Sequence, residues 1–202
     1  MTTQLFAGAQ RVPDRRIELY VKRSFASREE CAALVGLIDR APQPSTIADD
    51  IGDPTFRTSE TCAFDAAHPA IAALDARIGD YIGIAAAYGE PMQGQRYAVG
   101  QEFKLHTDYF EPGGQDYDTH CRIAGQRTWT AMIYLNEPVA GGATRFKTIG
   151  KTVEPETGKL LVWNNRLDDG TPNPATLHQG MRVRAGWKHI ITEWYRERPV
   201  AG

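Results

Sequence analysis

The sequence predicts an α+β protein whose core is mainly β, with helices confined to the N-terminal part. As far as about Tyr88, apolar residues recur at three- and four-residue steps, which is the spacing of amphipathic helices. From Gln93 onward, short segments rich in β-branched and aromatic residues are separated by Gly, Pro, Asn and Asp. About eight such segments in roughly 100 residues favour an antiparallel sandwich or jelly roll.

Two helices are expected in the N-terminal part, each with its own start signal. Ser27 followed by Glu30 forms a capping box, which satisfies free backbone amides at a helix start. Pro69 suits the first turn of the second helix, where its missing N–H has no partner to lose. A short strand over Ile17 to Val21 precedes them, because apolar and polar residues alternate there. The apolar stripes of the two helices are Cys31, Leu34, Val35, Leu37 and Ile38, then Ile71, Leu74, Ile78, Tyr81 and Ile82.

The C-terminal part holds most of the predicted strands. The chain is expected to be a single domain, 1–202, in which residues 1–90 form a largely helical support and residues 91–198 form the jelly-roll core. Two long segments containing Gly, Pro and Asp, Ala41 to Pro54 and Phe110 to Gln126, are expected to be loops that close over a site. The predicted strands are Gln95 to Val99, Phe103 to Tyr109, Thr128 to Leu135, Thr144 to Phe146, Leu160 to Trp163, Thr176 to His178, Met181 to Val183 and Lys188 to Tyr195.

The composition is that of an ordinary soluble globular protein and argues against several classes of function. Hydrophobic residues make up 42% and charged residues 24%, and 23 Lys and Arg against 25 Asp and Glu leave a net charge of -2. This balance predicts neither nucleic-acid binding nor attraction to an anionic membrane. The longest apolar run, Tyr81 to Tyr88, is far shorter than the ~20 residues that cross a bilayer. Three cysteines without a CxxC motif, and a beginning without a secretory signal, predict a cytoplasmic protein.

The segment from Phe103 to Tyr109 carries the first candidate metal ligands. His106 and Asp108 are two residues apart on a predicted strand, so their side chains are expected on the same face. An imidazole and a carboxylate on one face can supply two ligands to a divalent cation. The pair alone leaves a second interpretation open, in which a strand histidine is hydrogen-bonded to a nearby aspartate.

A third candidate ligand, His178, ends an apolar run that begins after Pro174. If the strands close into a jelly roll, His178 can face the first two ligands across the sandwich. Two histidines and one carboxylate on one side of a metal leave the other side open, which is typical of non-haem Fe(II) oxygenases. A structural zinc would close its fourth position, usually with cysteine, and no cysteine is placed for that.

Lys188 begins an otherwise apolar predicted strand ten residues after His178. A buried cation is costly unless it meets an anion. 2-Oxoglutarate, a cosubstrate of such oxygenases, chelates iron through its keto acid end and has a second carboxylate that Lys188 can bind. The alternative is a solvated lysine on an edge strand.

Six segments of the chain carry a resemblance to a known family: Phe56 to Ser59, Arg96 to Phe110, Gln126 to Asn136, Gly141 to Phe146, Gly158 to Asn164, and His178 through Lys188 to Trp194. In order, spacing and residue type the chain resembles the Fe(II)/2-oxoglutarate-dependent dioxygenases, and within them the prolyl 4-hydroxylase-like branch. The resemblance covers roughly two thirds of the chain.

The resemblance implies a double-stranded β-helix, which is the jelly roll already predicted. It implies that His106, Asp108 and His178 bind Fe(II), and that Tyr97 and Lys188 bind 2-oxoglutarate. The phenol of Tyr97 can donate a hydrogen bond to a carboxylate oxygen, although an aromatic residue that packs the sheet is the alternative. O2 is the third reactant, and ascorbate would keep the iron reduced.

Three further residues concern the substrate. Arg127 and Trp194 match positions that lie near the peptide substrate in this family, and a structural role is the alternative for both. Phe103 stands where prolyl hydroxylases of this branch commonly have a tyrosine near the substrate, and His189 replaces the usual tryptophan after the lysine. The expected partner is therefore a peptide or protein substrate, or a small molecule.

The expected reaction couples hydroxylation of a C–H bond to oxidative decarboxylation of 2-oxoglutarate, which gives succinate and CO2. Asp108 favours hydroxylation, because related halogenases leave this carboxylate position small to make room for chloride. The favoured function is 4-hydroxylation of a prolyl residue in a peptide or protein. Hydroxylation of a free amino acid or other non-prolyl small molecule is the alternative, followed by a non-catalytic jelly-roll binding module. The sequence predicts no particular oligomeric state.

Overall fold

The computed structural model describes residues 4–46, 53–114 and 117–200. Its helices are α1 (Arg28–Ile38), α2 (Pro69–Ile82) and α3 (Tyr117–Cys121), with single 3-10 turns at Ala86–Tyr88 and Pro174–Thr176. Its strands are β1 (Gln10–Arg11), β2 (Leu19–Lys22), β3 (Gln43–Pro44), β4 (Glu60–Ala63), β5 (Gln93–Tyr97), β6 (Phe103–His106), β7 (Arg127–Tyr134), β8 (Ala140–Gly141), β9 (Thr144–Phe146), β10 (Lys151–Val153), β11 (Leu160–Asn164), β12 (His178–Gly180), β13 (Val183–Ala185) and β14 (Lys188–Arg196).

Two antiparallel sheets form the centre of the molecule. The larger sheet has eight strands in the order β1-β2-β11-β7-β14-β5-β4-β3, and the smaller has four in the order β10-β9-β12-β6. Strands β8 and β13 form a separate two-stranded ribbon. The predicted mainly β, α+β fold is confirmed.

Apolar side chains pack against both faces of the larger sheet. On one face, α1 and α2 contact the sheet through a buried cluster that includes Leu34, Ile78 and Ile133. On the other face, side chains such as Tyr134 and Phe146 join the larger sheet to the smaller one. A narrow cavity lies on this second side of the larger sheet, where Met132 and Ile190 line it.

The two N-terminal helices begin where the sequence predicts. The hydroxyl of Ser27 accepts from the amide of Glu30 (3.1 Å) and the Glu30 carboxylate accepts from the amide of Ser27 (2.8 Å), which completes the capping box. Helix α2 begins at Pro69 and ends at Ile82, and the Gly83 that follows has a left-handed conformation (φ 76°), which suits a residue without a Cβ. Among the described residues, no helix is long and apolar enough to span a membrane.

Strand β14 contributes side chains to both faces of the larger sheet. It lies between β5 and β7, and all nine of its residues are buried. Lys188 and Trp194 line a cavity between the sheets, whereas Ile191 and Tyr195 belong to the cluster that contacts the helices. The alternation of side chains along this one strand therefore decides which groups reach the site.

Several strand ends differ from the prediction. β6 ends at His106, short of the predicted Tyr109, because its partner β12 pairs with it only between His178 and Gly180. β12 begins at His178, where the sequence predicted a strand to end, because Pro174–Thr176 forms a 3-10 turn.

The N-terminal part contains more strand than predicted. Besides α1 and α2, it contributes β1 to β4 to the larger sheet. β2 covers Leu19–Lys22 rather than Ile17 to Val21, and β4 pairs with β5 to extend the sheet. These strands are too short to show a clear period of their own.

The two predicted loops are only partly described. Residues 47–52 of Ala41 to Pro54, and residues 115–116 of Phe110 to Gln126, lie outside the described residues. The remainder contains β3 in the first segment and α3 in the second. Closure of these segments over a site stays a prediction.

A buried carboxyl group lies on the helix-facing side of β14. Glu193 is 1% exposed and interacts with Asp75 of α2 and with Tyr195. Burial, followed by the charge of Asp75, raises the pKa of Glu193 to about 9. Protonation of Glu193 removes the repulsion that two neighbouring ionised carboxylates would have.

We expect the Glu193→Gln variant to lose less stability than the wild type as the pH rises. The pKa of Glu193 is higher in the folded than in the unfolded protein, so its contribution is complete below about pH 4.5 and is lost as pH rises towards 9. Each pH unit in this window lowers the free energy of unfolding by up to about 1.4 kcal/mol. Urea titrations at about pH 6 and pH 8 should show a decrease roughly 2–3 kcal/mol larger in the wild type than in the variant. The exposed Glu154→Gln is the control, and equal decreases in wild type and Glu193→Gln would contradict the assignment.

Candidate metal centre

Three side chains meet beside the smaller sheet. His106 is the last residue of β6, and His178, the first residue of β12, is its partner across the ladder. Asp108 follows β6 by two residues. Ligand atoms of the three side chains lie within 4.8 Å of one another, and Nε2 of His106 is 3.8 Å from Oδ1 of Asp108. This grouping can hold a single metal ion.

The same-face explanation for His106 and Asp108 is wrong, although the two side chains do meet. β6 ends at His106, so Asp108 does not share a strand with it. Asp108 is instead held by two residues of β7. The hydroxyl of Thr130 donates to its Oδ2 (2.8 Å), and Nη1 of Arg127 donates to its carbonyl oxygen (3.2 Å). Contacts with β7 therefore replace strand alternation as the cause of the convergence.

Backbone carbonyl groups decide which nitrogen each imidazole presents. Nδ1 of His106 is 2.7 Å from the carbonyl oxygen of Lys104, and Nδ1 of His178 is 2.9 Å from that of Thr176. Because a carbonyl only accepts, each Nδ1 carries the proton and each Nε2 has a free lone pair. Burial is the largest cause that lowers the pKa of His106 to about 3, so its imidazole is neutral.

Asp108 supplies the one anionic donor of the group. It is 6% exposed, and burial by itself would raise its pKa. The two imidazoles, the guanidinium of Arg127 and the hydroxyl of Thr130 outweigh burial and lower the pKa of Asp108. Asp108 is therefore ionised at neutral pH.

The chemistry of the donor set fits Fe(II). Two imidazole nitrogens and one carboxylate oxygen occupy one side of a metal and leave the remaining coordination positions open. A structural zinc site is closed by a fourth ligand, often a thiolate. The three cysteines are buried elsewhere in the protein, and none belongs to this cluster.

A narrow inner cavity adjoins the three ligands and contains Lys188 and Tyr97. Lys188 is 1% exposed, and among the described residues no carboxylate forms an ion pair with it. Its Nζ lies 4.8 Å from the ring centroid of Tyr97, its partner in the ladder of β5 and β14. Burial lowers the pKa of Lys188 to about 7. A buried amine in this position suits a ligand that brings its own carboxylate.

A larger, open cleft of about 710 Å³ also reaches His106 and Asp108. Phe103, Arg127 and Trp194, the three residues that the sequence places near a substrate, all line it. The ring of Phe103 stacks on the imidazole of His106, with 3.5 Å between their centroids. The structure thus brings the predicted residues together around two neighbouring spaces that share His106 and Asp108 in their walls.

Arg127 is fixed by the protein itself. Its Nε and Nη2 both donate to Glu90 at 2.7 Å, and Glu90 also accepts from Arg196 at 2.8 Å. The guanidinium carbon of Arg127 lies 4.1 Å from the ring centroid of Trp194 and 4.6 Å from that of Phe110. Its position is therefore set without a bound substrate.

Sequence reasoning missed several residues of the site. Glu90 and Thr130 carry no motif, and their roles follow only from contacts with residues distant in the chain. Arg57 lies in one of the segments that carry the family resemblance, but no role was predicted for it. Its guanidinium donates to Ser59 (3.2 Å) and lies 4.9 Å from the ring centroid of Phe103.

The comparisons with known proteins agree with this geometry. The sequence model of the 2OG-Fe(II) oxygenase superfamily matches residues 92–196, the part of the chain that supplies all three ligands. The chain belongs to this family. The predicted oxygenase class is therefore confirmed, and the family and the triad together imply Fe(II) and 2-oxoglutarate.

This oxygenase is prolyl 4-hydroxylase-like. It is 30% identical over 200 residues to the probable prolyl 4-hydroxylase 10 of Arabidopsis thaliana, with 87% of this chain and 68% of that protein covered. It is 29% identical over 164 residues to the prolyl 4-hydroxylase subunit alpha-1 of Homo sapiens, with 79% and 30% covered. A solved structure of the viral collagen prolyl hydroxylase of Paramecium Bursaria Chlorella virus-1, a 2OG complex, superimposes with a TM-score of 0.69 and 25% identity, covering 88% and 95%.

We expect Lys188→Met to weaken the use of 2-oxoglutarate without weakening the fold. Methionine keeps most of the side-chain volume but removes a charged hydrogen bond to the cosubstrate, so the KM for 2-oxoglutarate should rise about 10- to 100-fold. The melting temperature should stay level or rise, because the variant no longer buries an unpaired amine.

Lys159→Met is the matched control for this substitution. Lys159 is also buried, at 6% exposed, but its Nζ donates to the carbonyl oxygen of Glu154 (2.8 Å) and pairs with Glu156 (3.2 Å). This control should lose stability and keep the wild-type KM. An unchanged KM in Lys188→Met would place the carboxylate of the cosubstrate elsewhere.

Proposed function

We propose that this oxygenase hydroxylates prolyl residues of a peptide or protein at C4. The open cleft beside the three ligands, bordered by Phe103, Arg127 and Trp194, is the observation that carries the proposal. Relatives that are about 30% identical to it carry the names probable prolyl 4-hydroxylase 10 and prolyl 4-hydroxylase 1, which supports the same substrate class.

The residues divide the work between the metal and the cosubstrate. His106, Asp108 and His178 would hold Fe(II), with the lone pairs of both Nε2 atoms and one carboxylate oxygen facing it. Lys188 and Tyr97 would hold the distal carboxylate of 2-oxoglutarate. When bound, these groups and O2 supply the oxidation of a C–H bond, and ascorbate would keep the iron reduced.

The dimensions of the cleft favour a peptide over a single amino acid. Its volume of about 710 Å³ lies well within the range of pockets that bind ligands larger than one residue. Proline restricts its own backbone, so a proline-containing segment loses less conformational entropy when it binds in an extended form. Aromatic rings of Phe103 and Trp194 offer apolar contacts to the pyrrolidine ring.

The test is an assay of proline-containing peptides and free amino acids with Fe(II), 2-oxoglutarate, ascorbate and O2. Mass spectrometry should show that peptides gain about 16 Da, the mass of one oxygen atom, and one succinate should form for each oxygen atom added. Analysis of the hydrolysed product should identify 4-hydroxyproline. His106→Ala should lower turnover by orders of magnitude, since the ligands act as a unit.

Other outcomes of this assay would replace the proposal. Turnover of a free amino acid without turnover of peptides would indicate a small-molecule hydroxylase. An absence of succinate under all conditions would indicate a jelly-roll binding module. Undiminished turnover in His106→Ala would contradict the proposed iron site.

We expect Glu90→Gln to affect the peptide more than the cosubstrate. The substitution leaves Arg127 and Arg196 without their shared carboxylate, so the guanidinium that borders the cleft loses its fixed position. The KM for peptide should rise while the KM for 2-oxoglutarate stays near wild type, and stability should fall by on the order of 3 kcal/mol. Glu111→Gln, an exposed glutamate that lines the same cleft, is the control. Equal changes in both KM values would contradict a role confined to the cleft.

A further inference from the structure

A chain of hydrogen-bonded side chains leads away from the metal centre. The hydroxyl of Thr130 donates to Oδ2 of Asp108 (2.8 Å), and Nδ2 of Asn165 donates to Oγ1 of Thr130 (2.9 Å). Thr130 and Asn165 are both 0% exposed, so water does not compete for these bonds. The chain connects Asp108 to β7 and to the residue that follows β11.

The donor and acceptor atoms determine the direction of every proton in this chain, because Nδ2 of Asn165 only donates and so the Thr130 hydroxyl accepts there. A carboxylate only accepts, so the one proton of the Thr130 hydroxyl must point at Asp108. The hydroxyl oxygen is then available only as an acceptor, and Asn165 must present its NH2 group to it. In this arrangement Asn165 keeps the hydroxyl turned towards Asp108.

Two backbone hydrogen bonds hold Asn165, but only one end of its side-chain amide has a partner. Its backbone N–H donates to the backbone carbonyl oxygen of Thr128 (2.7 Å), and its backbone carbonyl oxygen accepts from the backbone N–H of Asn173 (2.9 Å). Its Oδ1, however, is buried without a hydrogen-bond partner among the described residues. A buried unsatisfied oxygen destabilises a protein, and an apolar side chain would avoid that cost. The presence of a side-chain amide at position 165 is therefore better explained by its hydrogen bond to Thr130.

We propose that Asn165 is a positioning residue that acts through Thr130 to decide which oxygen of Asp108 binds the metal. Oδ2 is engaged by the hydroxyl, whereas Oδ1 lies 3.8 Å from Nε2 of His106. The carboxylate would then offer only Oδ1 to the metal, which would leave further coordination positions for the cosubstrate. This inference rests on the proposed function, because it takes the three ligands as the Fe(II) site.

The test uses Co(II) alone as the probe, because its visible absorption reports coordination geometry without turnover. Thr130→Val removes the hydroxyl at nearly constant volume, and Asn165→Leu removes the amide in the same way. Both should weaken Co(II) binding about 10- to 100-fold and alter the absorption spectrum. Thr130→Ser keeps the hydroxyl and should bind like the wild type.

A double variant separates positioning from simple loss of packing. Because Asn165 acts only through Thr130, the combination of Thr130→Val and Asn165→Leu should bind Co(II) no more weakly than Thr130→Val alone. Thr128→Val is the matched control. It removes another buried hydroxyl of β7, one that donates to the carbonyl oxygen of Tyr195 (3.1 Å), and should leave Co(II) affinity unchanged. If Asn165→Leu does not fold, Asn165→Ala replaces it, and the same weakening of Co(II) binding is expected.

Melting temperatures, recorded for every variant, distinguish the outcomes. Wild-type Co(II) affinity and spectrum in a folded Asn165 variant would overturn the proposal, as would fully additive losses in the double variant. In either case, the proposed iron site would still stand if the wild type binds Co(II) tightly and Asp108→Ala abolishes that binding. Failure of the wild type itself to bind Co(II) would overturn both.

Discussion

The register of β14 between β5 and β7 is the constraint on which the two cavities depend. It pairs Lys188 with Tyr97 and Trp194 with Thr130. Because side chains alternate along a strand, Lys188 and Trp194 face the cavities, while Glu193 lies near Asp75 of α2. A shift of one residue would exchange the two sets. The apolar packing of α1 and α2 against the larger sheet therefore keeps the buried lysine directed towards the ligand space.

The metal centre depends on a second pairing, that of β6 with β12. Each of its donors has a further contact to a rigid part of the fold, through the carbonyl oxygens of Lys104 and Thr176 and the hydroxyl of Thr130. These contacts orient the ligands in the protein alone, so little rearrangement is required when a metal binds. The same sheets that bury the ligands also supply the groups that hold them.

The fold class and the predicted ligands have strong local signals in the sequence, but other features do not. A capping box, a run of β-branched residues and the spacing from Asp108 through His178 to Lys188 can each be recognised from the chain itself. β1, β3, β4 and β8 have at most four residues, and they exist because other strands pair with them. Thr130 likewise resembles any core threonine of a strand. Its role follows from bonds to side chains 22 and 35 residues away, which local patterns do not encode.

Two cations of the site, the partly buried Arg127 and the buried Lys188, show how the fold separates structural charge from ligand-binding charge. Arg127 has a bidentate pair with Glu90, so its charge is compensated within the protein. Among the described residues, Nζ of Lys188 is near only the rings of Tyr97 and Tyr134, at 4.8 and 5.5 Å, and such contacts attract a cation more weakly than a carboxylate does. Burial without an anion disfavours its charged form, and an anionic ligand would remove that penalty. Arg127 therefore belongs to the framework of the cleft, whereas the positive charge of Lys188 is left for an anionic ligand to balance.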